Sequence, residues 1–270
     1  MNPDAIISFA KYHGTGNDFI LIDNRDGTHP FSRAEVAALC HRRFGIGADG
    51  LMLLEHAEAA DFRMVYYNAD GGISTLCGNG SRCIVAFAKH LGVVTGGETT
   101  FEAADGLHRA RILEDGSVAL EMQAVEKIFP EIEGVFLDTG SPHWVLWTED
   151  AASEAVDAEG RKIRNEARFA PGGTNVNFVE RKGKNALFVR TYERGVEAET
   201  LSCGTGVTAA AIAASGKETG DFDFRIETPG GILRVSFHKN GPASAKDICL
   251  TGPAQLVFKG EIRLADVLRS

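Results

Sequence analysis

The chain contains itself twice, and any fold that accepts this sequence must accept the duplication. Thr15-Gly16-Asn17 returns as Thr139-Gly140-Ser141, 124 residues later. The stretch from Arg43 to Glu55 aligns with Arg168 to Glu180 at an offset of 125, with Arg, Phe, the first downstream Gly, the apolar positions and the final Glu coinciding. Cys77-Gly78-Asn79-Gly80 returns as Cys203-Gly204-Thr205-Gly206 at an offset of 126, each preceded eleven residues earlier by a tyrosine, Tyr66 and Tyr192. The segment from Phe101 resembles the one from Ile226, again at 125. Four matches in order at a nearly constant offset read as a duplicated fold, and repeats of this kind decide architecture before any local propensity does.

A chain of 270 residues suits two domains of roughly half that length, because single cores stop growing well before this size. The expected halves are 1–128, carrying Cys77, and 129–270, carrying Cys203, with the cut near Pro130 and its Glu-rich surroundings. The tail after about 253 has no repeat partner and is expected to pack back on the first half. Short β-rich runs bounded by Gly, Asp or Asn recur in both halves, among them FILID, GLMLL and FRMVYYN in the first and VNFV, ALFVRTY and GILRVSF in the second. Each half has one Ala-rich helix candidate directly after its CGxG, 81–91 and 207–215, apolar on most sides and therefore buried all round. A more amphipathic helix, SRAEVAALCHRRF, precedes the Gly-rich loop of the first half. The fold class expected is α/β (α+β): two pseudo-symmetric halves, each with mixed, mainly antiparallel strands wrapped around a central helix.

Composition narrows the partners. Lys+Arg number 28 against 37 Asp+Glu, a formal charge of −9, with no basic cluster interleaved with aromatics, so nucleic acid is not an expected partner. No apolar run reaches the length of a membrane span or a signal peptide, and a cytoplasmic location is expected. Five cysteines at 40, 77, 83, 203 and 249, with no CxxC spacing, predict neither a disulfide framework nor a zinc site.

Of these cysteines, Cys77 and Cys203 read as chemistry. Each precedes glycines that open a helix, where unbonded N–H groups and the positive end of the helix dipole lower a thiol pKa and bind an anion. The glycines let a carboxylate approach the amides of Gly78, Asn79 and Gly80, or of Gly204, Thr205 and Gly206. If the halves face each other about a pseudo-twofold, one carbon lies between two thiols. A thiolate then removes an α-proton from one face while a thiol returns a proton to the other, with no cofactor and no metal required. Cys40, Cys83 and Cys249 lack repeat partners and read as packing residues.

The ordered set KYHGTGNDFILID, YYNADGG, CGNGSRC, NVNF, YERG, CGTG and TPGG resembles the diaminopimelate epimerases, from about Lys11 to about Val235. The resemblance implies two half-barrel domains and a pyridoxal-independent enzyme interconverting LL- and meso-diaminopimelate in the route to lysine and peptidoglycan precursors, with Cys77 and Cys203 as the acid/base pair. It further implies that Asn17, Asn68, Asn175 and Arg194 contact the substrate, especially its distal amino-carboxylate end, and that Gly78, Asn79, Gly204 and Thr205 hold the reacting carboxylate. Glu193 suits the distal ammonium, and His143 and Glu193 match positions near the thiols that help move protons. The partner implied is a small molecule, and the assembly implied is a homodimer. Two positions depart from the family pattern: Ser141 stands where many members have Asn, and Gly50 where some carry Gln.

The alternatives are a proline or hydroxyproline racemase-type epimerase, which also pairs cysteines, and a non-catalytic or redox-sensing homologue. The first group typically carries His after the first CG, where this chain has Asn79, and a monoacid substrate leaves Arg194 and Glu193 without work. A scaffold needs neither cysteine, and a redox switch needs no Arg/Asn shell.

Overall fold

A computed structural model describes residues 4–74 and 77–268. The chain forms two compact units, one of Met1–Leu120 with Pro253–Ser270 and one of Glu121–Gly252. The first unit contains β1 (Ile6–Gly14), β2 (Asn17–Asp23), helix α1 (Arg33–Cys40), β3 (Gly50–Glu55), β4 (Phe62–Asn68), β5 (Ile73–Ser74), helix α2 (Gly78–His90), β6 (Glu98–Ala103), β7 (Gly106–Ile112) and β8 (Val118–Glu121), whose last residue begins the second unit. The second contains β9 (Ile128–Pro130), β10 (Val135–Asp138), β11 (Pro142–Trp147), α3 (Val156–Arg164), β12 (Asn175–Gly183), β13 (Ala186–Glu193), β14 (Ala198–Thr200), α4 (Gly204–Ala214), β15 (Gly220–Thr228), β16 (Gly231–Lys239) and β17 (Lys246–Gly252). The chain then returns to the first unit with β18 (Gln255–Arg263) and α5 (Leu264–Leu268).

Strand pairing repeats between the units. In the first, β1 pairs β2 antiparallel, β2 pairs β3 parallel, β3 pairs β4 antiparallel, and β4 pairs β5 antiparallel and β6 parallel. In the second, β10 to β11, β11 to β12, β12 to β13, β13 to β14 and β13 to β15 repeat those directions in the same order. One difference lies in how each first strand is flanked. β1 takes the C-terminal strand β18 as its other neighbour, whereas β10 takes β9, supplied by the segment that enters the unit.

Each unit wraps its strands around one helix: α2 packs on β1, β2, β3 and β7, and α4 on β10 to β13, β15 and β16. Every residue of α4 but Thr205 is buried. Its run of alanines suits that place, because small side chains let strands approach the helix on every side, and Val179, Val189, Ile226, Val235 and Leu250 fill the surrounding core. Both helices start three residues earlier than the apolar pattern suggested, at Gly78 and Gly204, so that the glycines lie inside the first turn and each cysteine is the N-cap. Helix α3 was hidden in the sequence by a glycine. Gly160 abuts Tyr192 so closely that an added Cβ would stand 2.4 Å from that residue's Cβ. No helix among the described residues is long and apolar enough to cross a membrane.

Candidate active site

Two clusters form, one at the N-terminus of each central helix. In the first unit Cys77 has extended dihedrals, φ −121° and ψ 117°, and stands as the N-cap of α2. Its thiol donates to Asn17 Oδ1 at 3.6 Å, and Asn79 Nδ2 donates to the same oxygen at 3.4 Å. Asn17 is fixed in that sense by its own amide, which donates to Asp49 Oδ2 at 2.6 Å. Behind Asp49 lies an ionic cluster: Arg42 pairs with Asp18 and Asp49, and Lys11 with Asp18 at 2.7 Å. Burial would raise the Asp18 carboxyl, but the hydrogen bonds and charges of Arg42 and Lys11 hold it at about 2.

The turn joining β1 and β2 consists of Thr15 at φ 48° and Gly16 at φ 87°. Positive φ is costly for a β-branched residue, and here it puts the Thr15 hydroxyl 3.4 Å from Asn79 Oδ1 in a buried position. Arg82, fully buried, completes the cluster. It donates to Gly78 O at 3.1 Å, Asn79 Oδ1 at 2.9 Å, Thr15 Oγ1 at 3.5 Å and Pro253 O at 3.5 Å.

In the second unit Cys203 caps α4, its sulfur accepting from the Gly206 N–H at 3.4 Å and lying 3.4 Å from Thr205 Oγ1. A chain of side chains runs from there into the core. His143 Nε2 is 2.9 Å from Thr205 Oγ1, and Asn177 Nδ2 is 3.1 Å from His143 Nδ1 and 3.2 Å from Trp144 O. Trp144 O only accepts, so the Asn177 nitrogen faces it, and the second hydrogen of that amide goes to His143 Nδ1. The imidazole proton therefore sits on Nε2 and is donated to Thr205 Oγ1, which leaves the Thr205 hydroxyl hydrogen free to point at the sulfur. Thr191 Oγ1 donates to Asn177 Oδ1 at 3.0 Å and locks the amide. Burial holds His143 at about 3, neutral, with a smaller contribution from Arg194. Burial also raises the Cys203 thiol well above its ordinary value. The Glu193 carboxylate, in hydrogen-bonding contact with it, adds to the rise, against the opposing bonds from Thr205 and Gly206.

Beside this cluster Asn175 Nδ2 donates to Ser141 Oγ at 2.8 Å and Pro142 O at 2.9 Å, while its Oδ1 accepts from the Arg194 N–H at 2.8 Å. The Arg194 guanidinium is exposed, touching Gly172 O at 3.4 Å and Ser141 Oγ at 3.5 Å, and Thr200 Oγ1 holds Glu193. Ser141, where many relatives of the pattern have Asn, thus keeps a hydrogen-bonding role. Gly50 is forced by packing, since a Cβ there would stand 2.6 Å from both Tyr66 Cε2 and Tyr67 O.

The structure therefore gathers Cys77, Gly78, Asn79 and Asn17 in one place, and Cys203, Gly204, Thr205, His143 and Glu193 with Asn175 and Arg194 in another. Asn68 stands apart at the exposed end of β4, opposite Gly50, its backbone closing the turn to Gly72. Sequence reasoning passed over Thr15, Asp49, Arg82, Asn177 and Thr191. Asn177 was the most legible of these, standing two residues after Asn175 and so on the same face of β12.

The sequence model of the family described as diaminopimelate epimerase matches residues 9–128 and 135–257. The chain belongs to the diaminopimelate epimerase family. It is 50% identical to a diaminopimelate epimerase of Flavobacterium psychrophilum over 93% of this chain and 98% of that one. It is 44% identical to one from Chlorobaculum tepidum, over 93% and 99%. Among solved structures, a phenazine biosynthesis protein of the PhzF family from Bacillus anthracis superposes with a TM-score of 0.77 at 15% identity, covering 96% of this chain and 99% of that one. A probable proline racemase from Agrobacterium radiobacter superposes at 0.71 and 20% identity, covering 95% and 92%. At such identities the likeness is one of fold, shared by epimerases, racemases and isomerases of other chemistry.

Proposed function

We propose that this member of the family interconverts LL- and meso-2,6-diaminopimelate by two-base proton transfer, with Cys77 and Cys203 acting on opposite faces of one α-carbon. Its family makes the chain a pyridoxal-independent epimerase of diaminopimelate, in lysine biosynthesis. The observation that carries it is that both cysteines are helix N-caps beside glycines, so each sulfur shares a helix end with amides able to bind the carboxylate.

As the α-proton leaves, negative charge grows on the substrate carboxylate. The N–H groups of Gly78 and Asn79 on one helix and Gly204 and Thr205 on the other meet that charge without reorganising. Cys203, raised by burial and Glu193, is suited to the thiol role in the resting enzyme. His143, neutral and donating from Nε2 to Thr205 Oγ1, holds the Thr205 hydroxyl with its hydrogen toward the sulfur, where it assists proton transfer at Cys203 by meeting the thiolate that forms. Asn17, Asn68, Asn175 and Arg194 are assigned to the substrate, the exposed Arg194 fork to the distal carboxylate and Glu193 to the ammonium group. That second recognition site favours a diamino diacid over proline, which has nothing to offer it. The same reading expects a cytoplasmic homodimer.

The test is conversion of LL-diaminopimelate under reducing conditions, followed by separation of stereoisomers, with Cys77→Ala and Cys203→Ala beside the wild type. Each substitution is expected to lower turnover by a factor on the order of 10² to 10⁴. Turnover of proline in place of diaminopimelate, or a cysteine variant of undiminished rate, overturns the reading.

A further inference from the structure

The duplicated helices differ at the fifth residue after the cysteine: Arg82 on α2 and Thr208 on α4. Both side chains bond the same carbonyl of their own first turn, Arg82 Nη1 to Gly78 O and Thr208 Oγ1 to Gly204 O at 2.9 Å. Thr208 satisfies that carbonyl without charge, so the bond alone does not require a cation. Arg82 is nevertheless fully buried, and among the described residues its partners are all neutral oxygens, of Gly78, Asn79, Thr15 and Pro253. A buried guanidinium with no carboxylate beside it is expensive unless an anion nearby compensates it.

The other charged groups on the strands against α2 are either matched or exposed to solvent. Lys11 pairs with Asp18, Asp23 with Arg25, and Glu55 accepts from Asn24. His108 lies against Asp105, His13 accepts from the Gly16 N–H, and Arg109 and Arg111 are exposed. Tyr12 and Cys83 are held neutral by burial, Cys83 at about 12 despite its neighbour Arg82. The surroundings of Cys203 run the other way, with Thr208 in place of the arginine and Glu193 against the sulfur.

We propose that Arg82 is a positioning residue for the reaction: its buried, carboxylate-free cation stabilises the thiolate of Cys77, and its bonds to Gly78, Asn79 and Thr15 hold the helix end that carries that sulfur. The thiolate of the resting pair therefore resides on Cys77 and the thiol on Cys203. Burial pulls the Arg82 guanidinium down, and the charges of Cys83 and Cys77 oppose that, which is the same attraction seen from the cation's side. Asn17 Oδ1 accepts from the thiol and so opposes ionisation. That neutral bond at 3.6 Å is weak beside a full charge. The inference rests on the two-cysteine reading, but its test needs no substrate.

The experiment is alkylation of the reduced, full-length protein with iodoacetamide across pH, with Cys77 and Cys203 peptides quantified separately by mass spectrometry. In the wild type Cys77 is expected to titrate below Cys203. Arg82→Met is expected to move the Cys77 midpoint up by about one pH unit or more, slowing its alkylation near neutrality by roughly tenfold for each unit, and to leave the Cys203 midpoint in place. Arg82→Lys, which keeps the charge, is expected to retain most of the depressed midpoint and serves as the readout if the Met variant does not fold. An unchanged Cys77 midpoint in a folded Met variant, a Lys variant that behaves as uncharged, or a wild-type Cys203 that titrates first, overturns the inference. Failure of the diaminopimelate assay with these midpoints intact would count against the substrate reading alone.

Discussion

At the scale of single residues the two cysteines are written alike and placed unlike. Both CGxG turns are plain in the sequence, but the groups that separate them are not, because Asn177, Thr191 and Arg82 look like ordinary strand and helix residues until the fold brings them behind the glycines. Glu193 lifts the Cys203 thiol, so Glu193→Gln is expected to shift its alkylation midpoint downward, and Thr205→Val, which removes an opposing hydrogen bond, to shift it upward. Peptide-resolved alkylation reads both. His143 gives a prediction on stability. It stays neutral in the folded protein to about 3, whereas the unfolded chain takes up that proton near 6.5. Folding stability contributed there is present above 6.5 and is lost progressively as pH falls toward 3. The drop in urea midpoint between neutral pH and about pH 5 is expected to be smaller in His143→Asn than in wild type; an identical drop would show that His143 is not the group responsible.

At the scale of elements, the strand runs and the two central helices were legible from apolar spacing, while the helix starts and α3 were not. Glycine is a poor helix former by propensity, so a pattern reader places Gly78–Gly80, Gly204–Gly206 and Gly160 outside helices. Tertiary packing puts them inside, and at Gly80, Gly206 and Gly160 the absent Cβ is what allows the close approach. The glycines are not equivalent. A Cβ at Gly80 would meet Met52 Cε, the end of a flexible side chain, at 1.9 Å and Phe19 Cζ at 3.3 Å, whereas one at Gly206 would meet Asn177 Oδ1 at 2.4 Å and Thr191 Oγ1 at 3.2 Å, atoms pinned by the relay. Gly80→Ala is thus expected to be absorbed by Met52 at a cost of about 1 kcal/mol, and Gly206→Ala to cost about 2–3 kcal/mol and most of the epimerase activity. Thermal unfolding and turnover measured on the two variants check this order, and equal effects would contradict it.

At the scale of the whole molecule, duplication was legible as four ordered matches, yet the partner of each first strand was not. The strand β18 that flanks β1 has no counterpart in the repeat, because β9, which plays its part for β10, is three residues long and precedes that strand in sequence instead of closing the chain. Leu264 and Val267 of α5 reach the core formed by Val36, Leu39 and Ile20. Truncation after Gly252 is expected to leave β1 with an open edge and this core unfilled, seen as rapid limited proteolysis confined to the first unit; a truncated chain as resistant as the full one would contradict it. The two-base reaction itself is tested most directly by the early time course in deuterium oxide, starting from unlabelled LL-diaminopimelate. Each first molecule of meso product is expected to carry deuterium at the inverted carbon while the remaining LL substrate carries none, because one thiol takes the proton and the other, exchanged with solvent, supplies the new one. Product that retains the original hydrogen, or substrate that gains deuterium as fast as product, would mean a single base serving both faces and would contradict the account.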